Sequence, residues 1–103
     1  VQVDDFVWEC EPDTSGPAFF LYDISWVSFV SGRLDIPEIH RVLGVEVTNL
    51  ATLREAMETI FARNAPFAIA VKSQHAYERT LFWQERTDDE AASVLTKVLQ
   101  GAE

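Results

Sequence analysis

The 103-residue chain is 48% apolar and 12% aromatic, with four Gly and one Cys, a composition that builds a core and excludes a disordered tail, a collagen-like repeat and a disulfide-stapled scaffold. Its 17 acidic side chains against 8 Lys and Arg give a formal net charge of -9, which excludes a nucleic-acid binder that tracks phosphates with clustered positive charge. The length predicts one domain, and no run of ~18 apolar residues marks a membrane-spanning helix.

Residues 1–17, VQVDDFVWECEPDTSGP, are acidic and broken by Pro12, Gly16 and Pro17. They read as a loop-rich lead-in, in which Phe6, Val7 and Trp8 serve as a short strand or as packing anchors. The start has neither the basic residues nor the apolar stretch of a signal peptide. Cys10 has no second Cys to pair with, which fits a reducing compartment, so the expected location is the cytoplasm. The first residue is Val1 and not Met, as expected of a piece of a longer protein.

The domain proper is expected over 18–103. Phe19-Phe20-Leu21-Tyr22 is an unbroken apolar run that stops at Asp23, the pattern of a strand covered on both faces. Asp35-Ile36-Pro37-Glu38 starts a two-turn helix, with Asp35 as cap and Pro37 early, where its missing N–H costs nothing; Gly44 ends it. After the extended link Val45-Glu46-Val47, Thr48 or Asn49 caps a longer helix whose Leu50, Leu53, Met57, Ile60 and Phe61 share one face, opposite Arg54, Glu55, Glu58 and Arg63. Pro66 closes it. Phe67 to Val71 form a second apolar strand, expected to be buried and ending at Lys72-Ser73-Gln74-His75. Residues 76–86 read as a short helix or a packed loop around Tyr77, Leu81, Phe82 and Trp83. Thr87 and Glu90 then open a final helix with an apolar stripe of Ala91, Val94, Leu95, Val98 and Leu99, ended by Gly101.

The order strand, helices, strand, helix is that of α/β proteins built from parallel βα units with right-handed crossovers. Two strands do not close a barrel, and a (β/α)8 barrel takes about 250 residues, so the chain holds only a few of its units. Parallel strands would bring Asp23 and the Lys72 to His75 segment to the carboxyl edge, where such folds place their active sites. There Lys72 reads as a base, a Schiff-base nucleophile or a metal-bridging carbamate, or else as a plain ion-pair partner of Asp23 or a loop carboxylate. His75 reads as an acid-base group or metal ligand, against the commoner structural or solvated histidine. His40, beside Arg41, reads as a surface residue.

No HxH, HExxH or CxxC occurs, so the chain alone spells no metal site. Cys10 has no neighbouring base and reads as inert; Ser25, Ser28 and Ser31 lie outside any GxSxG. Tyr77, Arg79 and Trp83 suit a planar or anionic ligand, or simply pack under a loop.

The stretch AIAVKSQHAYERTL (68–81), with LYDISW (21–26) and LATLREAMETIFARNAP (50–66), resembles bacterial amidohydrolase-related proteins of the metal-dependent hydrolase superfamily, over roughly residues 18–100. The resemblance implies a TIM-barrel-like (β/α)8 fold of which this chain is an internal fragment, near the third and fourth units. The family pattern has HxH on the first strand, a Lys or equivalent at the end of the fourth, His after the fifth and sixth, and Asp on the eighth. Lys72 falls at the fourth-strand position and is the candidate metal ligand, as a carbamate. No other ligand can be carried over, since no HxH is present. Asp23 and His75 are the catalytic candidates; Ser73, Tyr77 and Arg79 are the substrate-binding candidates. The implied parent uses a zinc-like divalent metal to polarise a carbonyl or carboxyl group of a small substrate and activate water; decarboxylation and isomerisation occur among the relatives as well.

For the isolated chain the expectations are no activity, no stoichiometric metal, no nucleic-acid or membrane partner, and self-association that covers its strands. The rival reading is a non-catalytic standalone α/β domain that self-associates or binds a protein partner.

Overall fold

A computed structural model describes residues 2–3, 21–77 and 80–101. In chain order these form strand β1 (Gln2–Val3), strand β2 (Leu21–Ser25), helix α1 (Val27–Ser31), helix α2 (Ile36–Leu43), helix α3 (Leu50–Asn64), strand β3 (Ala68–Lys72) and helix α4 (Asp88–Leu99), with short 3-10 turns at Ala65–Phe67 and His75–Tyr77. The three strands make one parallel sheet in the order β1-β2-β3. The chain is therefore α/β with parallel strands. The first strand falls at Gln2 and Val3, inside the expected lead-in; Phe6, Val7, Trp8, Cys10, Phe19 and Phe20 lie outside the described residues.

The helix-start signals work as the residue chemistry requires. Asp35 accepts a hydrogen bond from the Glu38 backbone N–H at 3.1 Å, capping α2, and Gly44 ends it with φ 71°, a conformation that costs a residue with a Cβ. Asn49 caps α3 through a reciprocal box with Thr52, whose hydroxyl in turn receives the Asn49 N–H at 3.1 Å. Where Pro66 prevents α3 from continuing, the buried Asn64 amide donates to the Ile60 carbonyl at 2.8 Å. Arg63 reaches from the same end of α3 to the Val42 carbonyl in the last turn of α2 at 3.1 Å, tying the two helices together.

Helix α1 has no counterpart in the sequence reading. It is only five residues long, its cap residue Trp26 makes no side-chain cap bond, and Gly32 stops it; it forms as the chain turns off the sheet. The central apolar cluster joins Ile39 of α2 to Val45, Val47 and Ala56, with Phe29, Leu43, Leu53 and Leu99 packed against it. Val45 and Val47, expected as a mere link, are thus core residues. On α3 the buried positions are Ala56, Ile60 and Asn64, so the inward stripe is rotated from the expected one and leaves Phe61 exposed.

Two expectations about the strands need correction. Asp23 does not end its strand: β2 runs on through Ile24 and Ser25, which places Asp23 at its middle. The strand at 68–72 exists but is not buried. Ile69 is 61% and Val71 55% exposed, because β3 lies at the edge of the sheet, paired with β2 alone among the described residues. Among the described residues no helix is long and apolar enough to cross a membrane.

Candidate functional site

The pairing of β2 with β3 sets Asp23 opposite Ala70, Ile24 opposite Val71 and Ser25 opposite Lys72. Paired residues of adjacent strands point to the same face, and successive residues alternate between faces. One face of this part of the sheet therefore carries Ile24 and Val71, and the other carries Asp23, Ser25, Ala70 and Lys72. Asp23 is 1% and Ser25 7% exposed, and Lys72 is half-buried. An acid, a hydroxyl and an amine thus share one face in the carboxyl halves of two parallel strands. The Trp26 N–H donates to the Lys72 carbonyl at 2.8 Å and carries the pairing one residue beyond β2.

Beyond Lys72 the chain turns sharply and buries His75, 4% exposed, in the 3-10 turn His75–Tyr77. Its Nδ1 lies 2.6 Å from the Ser73 hydroxyl, and its ring meets Trp83 edge to face, centroids 4.7 Å apart at 69°. The Nε2 atom has no hydrogen-bond partner among the described residues. A buried imidazole nitrogen left without a partner costs free energy, so His75 is held by packing and by Ser73.

The site residues foreseen in the sequence thus separate. Ser73 and His75 are in contact, and Asp23 and Lys72 share a face. Tyr77 is 85% exposed. Arg79 lies outside the described residues. Ser25 belongs beside Lys72, a placement that the sequence signals only through the polar alternation Asp23-Ile24-Ser25. Among the described residues no three His, Cys, Asp or Glu side chains come together to hold a metal.

An open groove of about 810 Å³ lies elsewhere, between α1, the start of α3 and α4, walled by Phe29, Leu34, Leu53, Val94, Leu95 and Val98. It contains none of the candidate residues. Two carboxyls with shifted titrations lie on the helices. The Arg54 guanidinium, bonded to Asp88 at 2.8 Å, holds that carboxyl below its ordinary value, and Arg41 does the same for Glu38.

No family model, curated protein or solved structure matches the chain. The likeness to the amidohydrolase superfamily rests on the quoted stretches alone.

Proposed function

We propose that the chain contributes βα units to an amidohydrolase-like barrel enzyme that acts on a small carbonyl or carboxylate compound, with the polar face of β2 and β3 turned toward the substrate. The observation that carries this reading is the shared face of Asp23, Ser25 and Lys72. Parallel strands packed between helices are apolar on both faces; in a parallel barrel, the polar groups gather toward the carboxyl ends of the strands, where the reaction takes place.

In this reading the Lys72 ammonium orients a carboxylate or polarises a carbonyl, and the Ser25 hydroxyl beside it donates a second hydrogen bond. His75 Nδ1, 2.6 Å from the Ser73 hydroxyl, orients that hydroxyl at the rim. Asp23 adds a buried acidic side chain to the same face. The zinc-like metal implied by the likeness would need ligands beyond the described residues, and these roles do not depend on it.

The test is a titration of the 15N-labelled chain with malonate, followed by amide chemical shifts. Shifts confined to Ser25, Trp26, Lys72, Ser73 and His75, and abolished in Lys72→Met, are expected, with saturation in the millimolar range. Shifts concentrated in the α1/α3/α4 groove, or no saturable shifts at all, would remove the basis of the proposal.

A further inference from the structure

His75 is 4% exposed, yet its neighbours on the chain, Gln74 and Ala76, are exposed. Among the described residues, what closes over the imidazole comes from elsewhere. Helix α1 packs against the His75–Tyr77 turn, and Trp83 sets its indole edge to face with the imidazole, centroids 4.7 Å apart. Trp83 itself is 61% exposed. It covers His75 while remaining largely open, the reverse of an aromatic side chain that anchors a core.

The two ring nitrogens differ in access. Nδ1 lies 2.6 Å from the hydroxyl of Ser73, an exposed residue. Nε2 is buried and has no hydrogen-bond partner among the described residues. The Ser73 hydroxyl is therefore the polar outlet of this imidazole. That contact requires one ring orientation, because half a turn about χ2 exchanges Nδ1 with a carbon and breaks it. The χ2 torsion of a histidine is broad, and no second hydrogen bond at Nε2 narrows it. Packing must do so, and edge-to-face packing is suited to the task, since it depends on the angle between the rings as well as on their separation.

We propose that Trp83 is a positioning residue: it holds the His75 ring with Nδ1 on Ser73 and shuts Nε2 away, so that the Ser73 hydroxyl is the group of this pair that touches substrate. The part that concerns substrate rests on the reading above, in which the carboxyl edge of β2 and β3 receives a small carbonyl or carboxylate compound. His75 then acts on that compound only through Ser73.

Diethyl pyrocarbonate, which acylates accessible imidazole nitrogens, tests the closure on the 103-residue chain. The second histidine, His40, is exposed on α2 and serves as the internal reference. Peptide mass spectrometry should find His40 modified and His75 protected in the parent, protection lost in Trp83→Ala and restored in Trp83→Phe, with the far-UV circular dichroism unchanged throughout. Malonate reads the orienting role. In Trp83→Ala the amide shifts at Ser73 and His75 should be lost while those at Ser25, Trp26 and Lys72 persist, and Trp83→Phe should recover the full set. Nuclear Overhauser contacts between the Trp83 indole and the His75 ring in the parent supply a check that needs no variant. Absence of those contacts overturns the proposal, as does a parent His75 that reacts as fast as His40. So does a folded Trp83→Ala in which His75 stays protected or the Ser73 shifts survive. Should malonate bind nowhere in the parent, the carboxylate reading falls, and the reagent and the ring contacts still decide whether Trp83 holds His75.

Discussion

β2 and β3 are hydrogen-bonded neighbours of five residues each, and they invert the usual link between composition and burial. β2 contains Asp23 and Ser25 and is buried from Tyr22 onward, whereas β3, Ala-Ile-Ala-Val-Lys, leaves its Ile and Val open to solvent. Position within the sheet differs: β2 lies between β1 and β3, and β3 has β2 alone beside it among the described residues. β1 pairs only with Leu21 and Tyr22, so a strand alongside does not by itself account for the burial of Asp23, Ile24 and Ser25. Apolar content thus reports what a strand is suited to be packed against, and what lies against its faces decides whether it is packed.

The largest effect expected from this contrast comes from truncating one apolar side chain in each strand. Ile24 is fully buried, and Ile24→Ala should cost about 2 to 5 kcal/mol, the range for deleting a buried aliphatic side chain. Val71→Ala should change stability by less than ~0.5 kcal/mol in dilute protein, as for an exposed position. Urea unfolding of both variants at low concentration measures the pair. Equal costs would show that the outer side of β3 is covered in solution.

The sequence was a good guide to helix starts, because capping is local. Asp35, Asn49 and Thr87 each make the side-chain to backbone bond that their spacing announces. It was a poorer guide to what depends on distant partners. Val45 and Val47 became core only because Ile39 and Ala56 meet them. Phe61 was expected to face inward on periodicity but stays exposed, because the face of α3 that meets the rest of the molecule runs through Ala56, Ile60 and Asn64. At the candidate site, Lys72 and His75 were legible from their place after an apolar run. Their relation to Ser25 and Trp83 was not, since the β2–β3 register and the return of the chain at Trp83 join residues far apart in sequence.

The caps extend the comparison to the helices. Helix α3 buries Ala56, Ile60 and Asn64, whereas α4 buries only Leu95. Asn49→Ala removes one half of a reciprocal box and should lower global stability by about 1 kcal/mol. Thr87→Ala removes a single 3.2 Å bond to the Glu90 N–H. With so little of α4 buried, that loss should appear as local fraying and leave the global midpoint nearly unchanged. Amide hydrogen exchange separates the two outcomes, with faster exchange confined to the first turn of α4 in Thr87→Ala and spread across the core in Asn49→Ala. Equal global losses would mean that α4 unfolds together with α3.

The smallest effect expected is that of the ion pair bridging these two helices. Arg54 binds Asp88 through both guanidinium nitrogens, at 2.8 and 3.1 Å, and this bonding, then the charge itself, holds the Asp88 carboxyl below its ordinary value. A carboxyl whose folded pKa is depressed contributes stability that is fully present above its unfolded pKa and lost as pH falls through the folded one. The same guanidinium is raised in turn, and its contribution is lost only at strongly alkaline pH. Both side chains are largely exposed, so salt screens the pair and its contribution is minor. Asp88→Asn should therefore lower the thermal midpoint slightly at pH 7 in low salt, with the difference from the parent vanishing both at acid pH below the folded Asp88 value and in molar salt. A deficit that persists under both conditions would show that Asp88 acts on α4 through the charge-independent geometry of its first turn, and that the bridge to Arg54 contributes nothing to holding α4 against α3.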